Sequence, residues 1–235
     1  MEAQQEVIEM QIRSMNEKIE KCPSWETFKV NVDELCIFAS KNGSLELVKY
    51  LVERGANIHS KENSAIRKAS KNGHLEVVKF LVESGANIHV DDEFIFRHAS
   101  DEGDLALVKF LVEKGANIQA RENYALQWSA ANGHLEVVKF LVTSGANIHA
   151  NDDEPLRWAS ERGHIEVVNF LVTKGANIHA SNEYAIRYAS RNGHFELVIY
   201  LASLGANIHV DNDMALRSAL EKGHQDVSKY LISLY

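Results

Sequence analysis

The sequence predicts an all-α fold, a solenoid of stacked antiparallel helix pairs joined by short finger loops. Three observations carry that expectation. The triplet Gly-Ala-Asn recurs at 55, 85, 115, 145, 175 and 205, a constant step of thirty residues. A second glycine, at 43, 73, 103, 133, 163, 193 and 223, keeps the same step. The segments between the two glycines carry apolar residues at helical spacing, not at the alternation of a strand. A fixed period of this size denotes small units that cannot bury an apolar face alone and are completed by their neighbours. Such a stack presents an extended surface and not a cleft, which favours macromolecular recognition over catalysis.

Residues 62 to 90 illustrate one unit, read as helix, turn, helix, loop. Asp, Glu or Asn precedes the first helix (Glu62/Asn63, Asp92/Glu93, Asp152/Asp153, Asn182/Glu183, Asn212/Asp213), where a side-chain oxygen can accept orphan amide protons. Asn72-Gly73 could turn a hairpin, but its flanks are helical, so Gly73 is expected to be a left-handed helix C-cap. In the second helix Leu75, Val78, Leu81 and Val82 form one apolar stripe that Val77 and Phe80 widen, while Glu76 and Lys79 mark the wet side. Gly85 stops this helix, and Ala86-Asn87-Ile88-His89 leads to the next unit.

Seven helix pairs follow, beginning near Asp33, Asn63, Glu93, Asn123, Asp153, Glu183 and Asp213. Two uniform columns, Tyr50/Phe80/Phe110/Phe140/Phe170/Tyr200/Tyr230 and Leu51/Leu81/Leu111/Leu141/Leu171/Leu201/Leu231, are what a shared interior demands.

These segments resemble the ankyrin repeat from about Val32 to the end: Gly73-His74-Leu75-Glu76-Val77-Val78-Lys79-Phe80-Leu81-Val82 matches the family's second helix, and Gly85-Ala86-Asn87-Ile88 its exit. The resemblance implies an ankyrin-repeat solenoid that binds a protein partner on its concave face. Two departures stand out. The family's repeat is about 33 residues, and the missing three fall between His89 and Ala99, so the fingers should be too short to pair as strands. The family's histidine near the start of the first helix is replaced by Arg67, Arg97, Gln127, Arg157, Arg187 and Arg217. Shortened repeats with this wording resemble those of giant viruses that infect amoebae, which would imply a host partner and the host cytoplasm.

Residues 1–31 lie outside the period and are expected to form an amphipathic helix and connector capping the array, with 32–235 as the repeat domain. Ile8, Ile12, Met15, Ile19 and Cys22 form a heptad stripe that fits either a capping helix or a self-associating coiled coil. A monomer is favoured over a homo-oligomer. At the other end Gln225, Ser218 and Ser228 replace apolar or aromatic column members, as expected of a terminal cap with a polar outer face.

A formal charge of -8 disfavours nucleic acid and anionic membranes. No signal peptide or run of about 18 apolar residues is evident, which points to an intracellular, cytoplasmic protein. The two cysteines, Cys22 and Cys36, are expected to be plain thiols. Ten of the eleven histidines fall into two repeat columns without the spacing of a zinc site, so neither a metal nor a cofactor is expected. No phosphate loop, dinucleotide motif or zinc-protease signature occurs, and no enzyme activity is expected.

The candidate partner-binding residues lie in two variable columns of the first helix. One holds Phe94, Tyr124, Tyr184 and Met214; the other, four residues on, holds His98, Trp128, Trp158 and Tyr188. Residues at i and i+4 share a helix face. Their variation suggests exposure, and exposed Tyr and Trp are the side chains of binding hot spots. The competing reading has these rings filling space left by the short fingers. The arginine column either receives an acidic partner or braces the turn before its own helix, with bracing favoured. Acidic finger tips (Asp91, Asp92, Asp152, Asp153, Asp211, Asp213) could add a preference for basic partners.

Overall fold

The structure is a computed structural model that describes residues 25–235, with side chains from Val32 onward. The heptad stripe of Ile8 to Cys22 lies outside the described residues. Among the described residues there are fourteen helices and no strands. They are α1 (Trp25–Lys41), α2 (Leu45–Glu53), α3 (Ser60–Lys71), α4 (Leu75–Glu83), α5 (Val90–Asp101), α6 (Leu105–Glu113) and α7 (Ala120–Ala131). The series continues with α8 (Leu135–Thr143), α9 (Ala150–Arg162), α10 (Ile165–Thr173), α11 (Ala180–Arg191), α12 (Phe195–Ser203), α13 (Val210–Lys222) and α14 (Gln225–Ile232). The first helix starts well before Asp33.

Two compact units divide them: residues 25–99 with Glu113–Ala116, and Ser100–Val112 with Asn117–Tyr235. In the first unit α1 packs on α3 and α2 on α4. In the second, α7, α9, α11 and α13 lie side by side in sequence, and α8 packs on α10 and α12 on α14. Most second helices are nine residues long, too short to persist alone in water, so packing holds them.

The core is drawn from both rows: Leu126, Leu156 and Ile186 from first helices, Val138, Leu141, Val168 and Leu171 from second helices, all fully buried. Each such side chain contributes about 2 kcal/mol on leaving water. The leucine column is buried throughout, as expected. The uniform aromatic column is not: Phe80, Phe110, Phe140, Phe170 and their counterparts are half-buried. Val77, not Phe80, completes the interior stripe of α4. Uniformity therefore does not report burial here, and the Phe faces are partly covered by cations, as with Lys109 5.8 Å from Phe140 and Lys174 5.7 Å from Phe170.

Both glycine columns terminate helices as expected. At Gly73 (φ 71°) the His74 N–H reaches the Ala69 carbonyl at 2.9 Å and the Gly73 N–H the Ser70 carbonyl at 2.9 Å, a Schellman pair. Ala86 to Leu81 and Gly85 to Val82 repeat it on α4, at 2.8 and 3.0 Å.

The shortened finger is a turn of left-handed backbone. Lys61, Glu62 and Asn63 have φ of 50°, 57° and 59°, and five further repeats do the same, through Asp211, Asn212 and Asp213 at 51°, 54° and 58°. For L-residues this conformation costs roughly 1–2 kcal/mol each. Asn and Asp, which tolerate it best, fill most of these positions. Three sets of side-chain bonds hold the turn. Arg97 donates from Nε to the Asp92 carbonyl (2.8 Å) and from Nη2 to the Asp91 carbonyl (2.9 Å); Arg157 grips Asp152 and Asn151 in the same way. Histidine Nδ1–H donates to the third turn residue, as in His149 to Asp153 at 3.0 Å. That third oxygen also accepts the loop N–H of the next repeat, Asn147 to Asn123 and Asn177 to Asp153 at 2.8 Å, and Asp33 of α1 accepts from Asn57 at 2.7 Å in the same way. The oxygens expected to cap their own helices thus link one repeat to the next.

The other histidine column caps the preceding repeat. Nε2–H of His74, His164, His194 and His224 donates to the carbonyls of Lys41, Ala131, Glu161 and Arg191 at 2.9 Å. At the end of the second unit Gln225 is exposed, but Ser228 is buried (4% exposed) and donates to the His224 carbonyl. Leu220 (57%) and Ile232 (54%) are exposed there, so this end face is more apolar than the substitutions suggested.

Candidate partner-binding face

All eight candidate residues are half-buried: the rings are neither sealed between repeats nor fully free. The cause is helix geometry. In α7, Ala125, Leu126, Ser129 and Ala130 point into the stack, which leaves Tyr124 and Trp128 together on the remaining face. The same register places Trp158 on α9, Tyr184 and Tyr188 on α11, and Met214 on α13.

In the first unit Phe94 and His98 lie with ring centroids 5.7 Å apart, and Arg67 sits 5.3 Å from the Phe94 ring. In the second unit the rings form a row of two clusters. Tyr124 lies 5.7 Å from Trp128, and Trp128 meets Trp158 edge-on at 5.1 Å. Tyr184 stacks on Tyr188 at 3.9 Å, with planes 12° apart. Each aromatic pair of this kind adds about 0.5–1.5 kcal/mol beyond burial, which favours this arrangement of the rings. Met214 accepts from Arg187 Nη1 at 3.3 Å.

Cations line the row. Arg162 lies 5.6 Å from the Trp128 ring, Arg157 5.1 Å from Tyr184 and Arg191 5.7 Å from Tyr188. The carboxylates nearby are engaged: Glu161 accepts from the Tyr184 hydroxyl at 2.5 Å, and Glu154 from Asn151 at 2.9 Å. Burial, followed by the hydrogen bond to Glu161 and that carboxylate's charge, holds the Tyr184 phenol far above its ordinary range. His164, behind the row, is held below the usual imidazole range by burial first, with Arg162, His194 and His134 adding like charge.

The aromatic columns were visible in the sequence, whereas Arg162, Arg191 and Glu161 were not singled out. Their signal is faint: Arg162 stands where Asn132 and Asn192 align, while Glu161 and Arg191 share one mixed column with Lys41, Lys71, Asp101, Ala131 and Glu221. The acidic finger tips serve neighbouring repeats. Asp91 pairs with Arg67 at 3.0 Å, Asp152 accepts from the Ser181 backbone at 2.8 Å, and Asp211 accepts from Asn182 at 2.8 Å.

No group of His, Cys, Asp and Glu among the described residues could hold a metal ion, and no helix among them is long and apolar enough to cross a membrane. Burial pushes the Cys36 thiol up to about 11, with the Asp33 charge acting in the same direction and the nearby Ser40 hydroxyl opposing them.

No curated protein matches the chain. The crystal structure of the human ASB11 ankyrin repeat domain is similar in fold: TM-score 0.75 at 24% identity, over 84% of this chain and 96% of that one. A family model described as ankyrin repeats in three copies matches residues 11–92 and 95–182, well over half of the sequence. With the helix pairs, the paired glycine stops and the repeat-to-repeat links described above, this match places the chain in the ankyrin-repeat family.

Proposed function

We propose that the protein is a non-enzymatic interaction module that holds a partner protein against the aromatic face of its first helices. Ankyrin repeats are generally protein–protein interaction modules, which supports the class of function. The observation that carries the location is the row Tyr124, Trp128, Trp158, Tyr184 and Tyr188, half-buried and packed as a triad beside a stacked pair. Rigid Tyr and Trp bury much area at small entropic cost, which is why a few of them dominate most interfaces. The two groups with the largest resolved shifts, Cys36 and Tyr184, are explained by burial and neighbouring hydrogen bonds, so neither calls for a catalytic role.

Affinity capture with the wild type and with Trp128→Ala/Trp158→Ala tests the reading. A partner recovered by the first and lost from the second supports it, provided both melt at similar temperatures. Equal recovery of every partner rejects the aromatic face as the site. The heptad stripe Ile8, Ile12, Met15, Ile19 and Cys22 supports a second reading, self-association through the N-terminal segment. A dimeric solution mass that becomes monomeric on deleting residues 1–22 favours it, and a monomeric full chain removes it.

A further inference from the structure

We propose that the aromatic row of the second unit is built for an acidic, extended peptide segment whose carboxylates meet Arg157, Arg162 and Arg191 while its apolar side chains rest on Trp128, Trp158 and the Tyr184/Tyr188 stack. The inference rests on the reading of this face as the partner-binding surface and adds the chemistry of the partner.

The chain as a whole carries -8, so a strip of cations on one face runs against its overall balance. Among the described residues, none of Arg157, Arg162 and Arg191 has a carboxylate within ion-pair distance. Arg157 spends its donors on the Asp152 and Asn151 carbonyls, and Arg162 on Asn132 and the Ala131 carbonyl, all uncharged acceptors. The acids on the same face bond to neutral donors instead of to these arginines, Glu161 to Tyr184 and Glu154 to Asn151. The three guanidiniums therefore outnumber the two carboxylates, whose oxygens are partly taken up by Tyr184 and Asn151.

The guanidiniums and rings also alternate. Arg162 lies over Trp128, Trp128 against Trp158, Arg157 over Tyr184, Tyr184 on Tyr188 and Arg191 over Tyr188. A guanidinium resting on a ring is held in place by it and still offers its outward N–H fork to a carboxylate. Packed helices lie about 10 Å apart, so the residues named on α7, α9 and α11 span about 20 Å, the reach of about six extended residues. In an extended segment residues i, i+2 and i+4 share a face, so a segment whose every second residue is acidic and apolar in turn matches that pattern.

Fluorescence anisotropy with three labelled probes tests the proposal: a peptide of about 12 residues whose every second position is Glu/Asp and Leu/Phe in turn, with Ser between them, its Lys/Arg counterpart, and an oligothymidylate of similar length. The acidic peptide should bind best, weaken as salt rises from about 50 to about 300 mM, and lose about tenfold in affinity with Arg162→Glu/Arg191→Glu. Lys139→Glu, on the outer row where Lys139 pairs with Glu136, should change affinity less than about twofold. Circular dichroism confirms that both variants keep their helices. Tighter binding of the basic peptide or the oligonucleotide, no binding of the acidic peptide, or indifference to the arginine reversal overturns the proposal. If Trp128→Ala/Trp158→Ala abolishes binding while the arginine reversal does not, the face stands and its charge preference falls; if neither variant alters binding, both fall.

Discussion

Replacing Gly133 by alanine should destabilise the protein more than the same change at Gly73, although the two glycines occupy the same place in their repeats. Their backbones are nearly the same, with φ of 75° and 71°. An alanine in this region costs roughly 1–2 kcal/mol at either site. What differs is the neighbour. A Cβ on Gly133 would lie 2.6 Å from His164 Nδ1 and 2.8 Å from its Cε1, whereas nothing lies within 4 Å of one on Gly73. The ring would have to move, breaking its 2.9 Å bond to the Ala131 carbonyl, which contributes about 1 kcal/mol and leaves a helix-end carbonyl unpaired. Gly133→Ala should therefore cost roughly 2–3 kcal/mol against roughly 1–2 for Gly73→Ala. Urea unfolding followed by circular dichroism measures both. Combining Gly133→Ala with His164→Ala removes the collision, so the double variant should be about 1 kcal/mol more stable than the sum of the single effects predicts. Equal costs at the two glycines, or strict additivity in the cycle, would refute the idea that the histidine of one repeat dictates the glycine of the one before it.

Four further outcomes follow from the same geometry. His164 is held below its ordinary 6.5, so the unfolded chain takes up that proton first; stability should be full above pH 6.5 and fall as pH drops below it, and His164→Asn should flatten the fall in urea midpoint. Cys36, buried with its thiol pushed up to about 11, should resist alkylation at pH 8 in a Cys22→Ser background and react fully once urea unfolds the chain. Arg157→Lys keeps the charge but cannot reach the Asp152 and Asn151 carbonyls together, and should lower stability by about 1–2 kcal/mol in the same unfolding assay. Tyr184→Phe should cost about 1 kcal/mol and remove a late-ionising phenol from the ultraviolet alkaline titration.

The helix pairs were legible because burial repeats: the leucine column, the two glycine stops and the alternation of short and long segments all announce themselves every thirty residues. The arginine fork was also legible, since Arg97 and Arg157 follow the finger by a few residues on one helix. The left-handed turn was not. Lys61-Glu62-Asn63 or Arg121-Glu122-Asn123 would suit the first turn of an ordinary helix, and only the need to reverse the chain in a shortened finger forces them over. Cap oxygens such as Asp153 then point to the next repeat, a relation between residues 24 apart that local propensity cannot express. Burial within columns was misread where uniform residues are half-exposed, as at Phe80, and where a polar substitute faces inward, as at Ser228.

The central claim is that the first-helix face, not the outer row of second helices, meets the partner. A photo-crosslinking residue placed at position 188 on α11, and separately at position 139 on α8, locates the contact directly when each protein is irradiated with its captured partner and the adducts are mapped by mass spectrometry. The account predicts a partner adduct from position 188 and none above background from position 139. Adducts from position 139 with none from position 188 would contradict it.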